Sequence, residues 1–207
     1  MNKKTLVLAT TNMHKIREIK SILKPLFDFD YLSLMDFPQY TSPEESENTF
    51  EGNAFLKALT AAKALGLWVL ADDSGLIVPA LDNKPGILSS RFAGTNATDQ
   101  ENRQKLVHML QDLSEENRVG CYVCSMVLAS PEGVEKQVTA SCEGTLLTTP
   151  RGSSGFGYDS IFVKSEYGKT FAEIDEMTKN RVSHRRKALE KMLPFLEAYS
   201  NTQLSSS

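Results

Sequence analysis

Apolar positions along the chain switch repeatedly between strand spacing and helix spacing. Residues 5–10 are a short apolar and β-branched run, the pattern of a strand. Thr11 and Asn12, residue types that cap helices, lead into Ile16, Ile19, Ile22, Leu23 and Leu26 at helical spacing. A second strand is expected over 31–34, followed by an exposed polar loop with Pro38, Pro43 and the acidic residues Glu44, Glu45 and Glu47. Phe50, Ala54, Phe55, Ala58, Leu59, Ala62 and Leu65 then mark a helix that packs on a sheet, with Gly66 where a left-handed C-terminal cap belongs. Residues 68–71 read as a strand ending in Asp72-Asp73-Ser74-Gly75, and 76–79 as the strand that resumes after a turn, which puts the two acids at a bend.

Further along, Thr98 and Glu101 form a capping box that opens a helix carrying Leu106, Met109, Leu110 and Leu113. Residues 118–148 alternate like antiparallel strands around a hairpin at Pro131-Glu132-Gly133 and are candidates for a second lobe. A Gly/Ser-rich loop over 150–157 precedes a strand over 159–163. A final helix runs from about Thr178, with Val182, Leu189, Leu193 and Leu196 on one side and Pro194 placed to bend or end it. The pattern is that of a mixed α/β chain with one folding unit over residues 1–200 and a disordered tail over 201–207.

Composition narrows the function classes. With 41% hydrophobic residues in 207, the chain can bury a sizeable core. A net charge of −3 argues against binding along a nucleic-acid backbone, so any anion site must be a local basic cluster. The apolar run at 6–9 is too short for a secretion signal, and Lys57 and Lys63 interrupt the longest apolar stretch, so no membrane segment is expected. Cys121 and Cys124 have CxxC spacing, but in a strand that separation puts the thiols on opposite faces, and no second ligand pair exists. A reducing cytoplasm is the expected setting.

Two phosphate motifs are imitated and fail. Gly168-Lys169-Thr170 resembles the end of a Walker A loop, but the required first glycine falls on Val163. Residues 152–157 carry the glycines of a dinucleotide fingerprint in reverse order, with no capped helix after them. Three other segments remain. At Thr10, Thr11, Asn12, Met13, His14 and Lys15 a strand feeds a helix start, where backbone N–H groups and the helix dipole favour a phosphate; an ordinary capped helix with an exposed lysine fits as well. Asp72 and Asp73, with Glu45, suit Mg²⁺, and Asp73 lies nearer the bend; the alternative is an Asx turn. Lys179, Arg181, His184 and Arg185 concentrate basic groups, the last three on one helical face, either for anion or base recognition or as a solvated surface.

Taken in order, five segments resemble the family of inosine and xanthosine triphosphate pyrophosphatases. They are Ala9-Thr10-Thr11-Asn12-Met13-His14-Lys15, Thr49-Phe50-Glu51-Gly52-Asn53-Ala54-Phe55-Leu56-Lys57-Ala58, Ala71-Asp72-Asp73-Ser74-Gly75-Leu76, Gly155-Phe156-Gly157-Tyr158-Asp159 and Ser183-His184-Arg185. The resemblance spans residues 6–196. It implies an elongated mixed central sheet flanked by helices, two lobes with a substrate cleft between them, and a homodimer. It further implies that Thr10 to Lys15 and Lys57 bind the triphosphate of a purine nucleotide such as ITP, dITP or XTP. Glu45 and Asp73 would hold Mg²⁺, Asp73 would accept the proton of the attacking water, and Ser74 would touch substrate. Phe156, Gly157, Tyr158, Asp159, Lys179, His184 and Arg185 match the positions around the nucleoside. Thr11, where many members have Gly or Ser, and Ser160, where many have Pro, depart from the pattern without removing a chemical group. Rival readings are a pyrophosphatase for pyrimidine or other modified nucleotides and a non-enzymatic nucleotide-sensing module.

Overall fold

A computed structural model describes residues 3–202. Its single mixed sheet has the order β2-β1-β3-β5-β6-β7-β8, with β4 paired to β3. Strand β1 (Thr5–Leu8) lies parallel to both β2 (Asp30–Ser33) and β3 (Trp68–Val78). Helices α1 (Met13–Leu23) and α2 (Phe50–Leu65) make the crossovers that parallel pairing requires. Strands β5 (Val119–Ser130) and β6 (Gly133–Leu146) are the expected hairpin around Pro131-Glu132. The antiparallel pairs are β3 with β4 (Lys84–Pro85), β6 with β7 (Phe162–Lys164), and β7 with β8 (Lys169–Thr170). The remaining helices are α3 (Asp99–Gln111), α4 (Glu176–Val182) and α5 (His184–Asn201).

Two compact units share the chain. The first comprises residues up to 73, 125–139 and 186 onward; the second comprises 74–124 and 140–185. The hairpin is therefore no lobe of its own, because its tip belongs to the first unit and its ends to the second. In the first unit Ala54, Ala58, Ala61 and Ala62 give α2 a face without bulk, which lets it lie close over Val7, Val69, Ala71, Val127 and Ala129. Thr49 caps this helix by accepting from Gly52 N–H at 3.0 Å, and Gly66 ends it at φ 65°. Tyr199 of α5 stacks on Trp68 with ring centroids 4.1 Å apart and donates to the Thr5 carbonyl at 2.7 Å. The second unit is built on larger side chains: Leu106 and Leu110 of α3 with Leu76, Tyr122, Leu146, Tyr158, Ile161, Phe162 and Phe171.

Four expectations need correction. Strand β3 runs without interruption through Asp72-Asp73-Ser74-Gly75, so no turn forms there. The final helix is two helices, because Ser183 adopts an extended backbone (φ −69°, ψ 158°) between α4 and α5. Pro194 does not end α5, which continues to Asn201; it lies on an exposed face. Residues 159–161 are turn rather than strand, which starts at Phe162. Of the tail, Asn201 closes α5, Thr202 follows it, and 203–207 lie outside the described residues.

Candidate active site

In the first unit, an unbroken β3 decides the fate of the acidic pair. Adjacent strand residues point to opposite faces. Asp72 accordingly meets Lys15 of α1, with Nζ–Oδ2 at 3.1 Å, while Asp73 meets Lys57 of α2, with Nζ–Oδ1 at 2.8 Å. Lys57 also reaches Glu45 Oε1 at 3.0 Å, so one ammonium bridges the acidic loop and the strand. Burial disfavours that ammonium, but the carboxylates of Asp73, Glu45 and Asp72 outweigh it and hold its pKa above the ordinary lysine value. Burial likewise lifts the Asp73 carboxyl above its ordinary value, opposed by Lys57 and Lys15 and reinforced by Glu45.

The start of α1 is organised by its own side chains. Asn12 caps the helix by accepting from His14 N–H at 2.9 Å and Lys15 N–H at 3.2 Å, and Thr10 Oγ1 accepts from Asn12 N–H at 3.1 Å. Thr11, Asn12, Met13 and His14 are exposed. A phosphate arriving here would meet the hydroxyls, the amide and Lys15 together with whichever N–H groups the cap releases.

The oxygens of Glu45 and Asp73 suit a hard divalent ion. Both carboxylates lie within 3.0 Å of one cationic atom, Lys57 Nζ, and both belong to the chemical class that Mg²⁺ prefers. Among the described residues no three His, Cys, Asp or Glu side chains gather as a cage. The fit is to an ion that completes its shell with phosphate oxygens and water.

In the second unit the centre is Asp159, which is buried and saturated with donors. Its Oδ2 accepts from Lys179 Nζ at 2.7 Å and from Phe156 N–H at 3.0 Å, and its Oδ1 accepts from Tyr122 OH at 3.3 Å. Lys179, itself buried, sits 4.9 Å from the Phe156 ring centroid. The same Tyr122 stacks on His184 at 4.7 Å with planes 8° apart, and burial together with Asp159 raises its phenol well above the ordinary value. Arg185, 1% exposed, donates to Ser74 Oγ at 2.9 Å. Gly157 is clamped on both sides of its peptide by Asp99 Oδ2, which accepts its N–H at 2.7 Å, and by Arg103, which donates to its carbonyl at 2.7 Å. Tyr158 is a core residue whose hydroxyl donates to the Ser89 carbonyl at 2.8 Å.

The basic cluster differs from the helical face expected of it. The break at Ser183 starts a new helix at His184, and His184 and Arg185 are buried in its first turn while Arg181 stays exposed on α4. Sequence reasoning also passed over Asn53, Tyr122, Asp99 and Arg103. Asn53 stands four residues before Lys57 on α2, the spacing that puts two side chains on one face, so that signal was present. Tyr122 lay inside a strand, and Asp99 beside a capping box, where nothing separates them from ordinary structural residues.

The first unit thus holds a buried carboxylate shared with lysine, and the second holds buried cations beside aromatic rings. The chain belongs to the Ham1 family, whose model matches residues 6–195. It is 55% identical over 193 residues to a dITP/XTP pyrophosphatase of Protochlamydia amoebophila, covering 93% of this chain and 97% of that protein. It is 48% identical over 202 residues to the dITP/XTP pyrophosphatase of Chlamydia caviae, covering 97% and 98%. The structure of the Staphylococcus aureus Ham1 protein matches with a TM-score of 0.83 at 37% identity, over 95% of this chain and all of that one. The resemblance carried by the five motifs therefore holds, and the mixed α/β architecture is that of the Ham1 proteins.

Proposed function

We propose that this chain hydrolyses noncanonical purine nucleoside triphosphates, ITP, dITP and XTP among them, to the monophosphate and pyrophosphate. The observation that carries the reading is Asp73, a buried carboxylate held by Lys57 at 2.8 Å beside Glu45, whose next neighbour in the chain, Ser74, is held by Arg185. The names of relatives 55% and 48% identical over nearly the whole chain support it.

Chemically, the work divides between charge neutralisation and positioning. Thr10 to Asn12, Met13, His14, Lys15 and Lys57 take the triphosphate, and the lysines offset its charge as negative charge builds on the leaving pyrophosphate. Mg²⁺, held by Glu45 and Asp73, would supply Lewis-acid polarisation of the phosphates. Asp73 orients a water toward the α-phosphorus and accepts its proton; the water oxygen bonds to that phosphorus as the bridging oxygen leaves with pyrophosphate. A carboxylate that also holds Mg²⁺ is a weak base, so positioning and charge neutralisation contribute more of the acceleration than proton abstraction.

Selectivity for the base falls to His184, Arg185 and Lys179, with Phe156 beside them. Hypoxanthine and xanthine present a 6-oxo acceptor to these donors, whereas adenine presents an amino group and leaves a buried donor unpaired at about 1–3 kcal/mol, or roughly tenfold to hundredfold per contact. Discrimination against guanine must act at the 2-position. A homodimer in the cytoplasm is part of the same reading, and sedimentation at twice the chain mass would bear on the first half of it.

The test is turnover of ITP, dITP, XTP, dGTP, dATP and dTTP with Mg²⁺, with products resolved by phosphorus NMR. The expected result is pyrophosphate as the first product and fastest turnover for the 6-oxo substrates lacking a 2-amino group. Orthophosphate as the first product rejects the proposed reaction, dTTP as the best substrate favours a pyrimidine enzyme, and tight ITP binding without turnover favours a sensing module.

A further inference from the structure

Asn53 occupies a position that none of the roles above uses. It lies on α2 with no exposed surface, and both ends of its amide are engaged: Oδ1 accepts from Glu47 N–H at 3.1 Å, and Nδ2 donates to Asp73 Oδ2 at 3.3 Å. The orientation is dictated by the partners, since a peptide N–H can only donate and a carboxylate can only accept. Asp73 is thereby held at both oxygens, Oδ1 by Lys57 and Oδ2 by Asn53. On its other side the amide ties down the loop that carries Glu45, two residues before Glu47. Glu45 and Asp73 are far apart in sequence and sit on a loop and a strand, so their mutual geometry needs a brace. Lys57 supplies one brace by charge, and the proposed function also assigns it to phosphate. Asn53 supplies one that is neutral, planar and fully buried.

We propose that Asn53 is a positioning residue that sets the Glu45 loop against the Asp73 carboxylate and so preorganises the pair for a divalent ion and for the attacking water. This rests on the reading of Glu45 and Asp73 given under the proposed function. A hydrogen-bonded group behind a metal-holding carboxylate typically accounts for about 10–100-fold in metal affinity or activity.

Two variants remove the brace: Asn53→Ala deletes both contacts, and Asn53→Leu deletes both while keeping the side chain's bulk. Mn²⁺ binding to the full-length protein without nucleotide is read by electron paramagnetic resonance, alongside kcat and KM for dITP. The expected result is Mn²⁺ affinity lowered about tenfold in both variants. A fall in kcat should exceed any rise in KM, because the substrate's own phosphate contacts are left in place. Parental Mn²⁺ affinity and kcat in either variant, when folded, overturn the proposal and leave Asn53 a fold residue. Should both variants fail to fold, Glu47→Pro deletes the N–H from the exposed loop instead; the same loss of Mn²⁺ affinity supports the brace, and parental affinity rejects it. Because Mn²⁺ binding is read without nucleotide, a parent protein that binds the ion but turns over no purine triphosphate rejects the proposed function without touching the role of Asn53.

Discussion

Replacing Lys57 by methionine tests the electrostatics of the acidic cluster most sharply. The Lys57 and Asp73 side chains are 13% and 10% exposed and Glu45 is 31% exposed, so the ion pair is largely shielded from water. Removing one partner of a buried pair costs about 3–5 kcal/mol, since the remaining charge is stranded. Glu45 can still turn toward water and Lys15 still faces Asp72, which favours the lower end, about 3 kcal/mol. At roughly 2–4 °C per kcal/mol for a chain of this size, the Tm should fall by about 6–12 °C at neutral pH.

The pH dependence of that difference has a defined sign. Lys57 has a folded pKa above its unfolded value, so its contribution is fully present below the ordinary lysine pKa and is lost only as pH rises through the folded one. Over neutral and mildly acidic pH it is flat. Asp73 also has a raised folded pKa, which for an acid detracts from stability above the folded value and ceases to do so below the ordinary carboxyl value. Without Lys57 the largest influence holding Asp73 down is gone, and its folded pKa rises further. The gap in Tm between parent and variant should therefore be widest at neutral pH and shrink toward about pH 4–5. Thermal melts followed by circular dichroism at both pH values check this. A gap under about 3 °C at neutral pH, or one that does not change with pH, refutes the reasoning.

Elsewhere the structure sets two further expectations. Gly155 has φ +77°, and a Cβ there would stand 2.2 Å from Asp159 Oδ2, so Gly155→Ala should dislodge the carboxylate that Lys179 and Phe156 N–H share. A loss of about 2–4 kcal/mol in urea unfolding is expected, from backbone strain and a broken buried pair together. Tyr122→Leu removes both the stack on His184 and the donor to Asp159; the expected result is a smaller preference for dITP over dATP with kcat for dITP little changed, measured as the ratio of the two kcat/KM values.

Much of the fold is legible in the sequence because its local signals agree. Thr49 and Gly66 bracket α2, Thr98 and Glu101 open α3, and Pro131-Glu132 turns the hairpin, each through chemistry confined to a few residues. The errors arise where tertiary forces override local ones. Ser74-Gly75 has turn chemistry, yet it lies within β3, and burial of Leu76 and Val78 in the second core holds the strand straight through it. At Ser183, by contrast, the local signal is present but outweighed by the helical spacing around it: serine suits the extended position before a helix, and α5 starts at His184. That break buries His184 and Arg185, which periodicity alone assigns to one surface with Arg181.

The candidate site shows the same division. The motif resemblance pairs Glu45 with Asp73 and sends Lys57 to the triphosphate; in the structure Lys57 bridges the two acids. Lys15 was expected at phosphate and is found against Asp72, a pairing that depends on the parallel register of β1 with β3 and that no spacing in the sequence discloses. Around Asp159, Phe156 shares its motif and Lys179 is placed with it by the resemblance, whereas Tyr122 comes from the middle of a strand and nothing in the sequence marks it.

The proposed attack of water at the α-phosphorus is tested most directly by turning over dITP in water enriched in oxygen-18 and locating the label by mass spectrometry. The predicted result is one labelled oxygen in the monophosphate and none in pyrophosphate. Label in pyrophosphate, or in released orthophosphate, contradicts it, because water would then have attacked a phosphorus that Asp73 is not proposed to address.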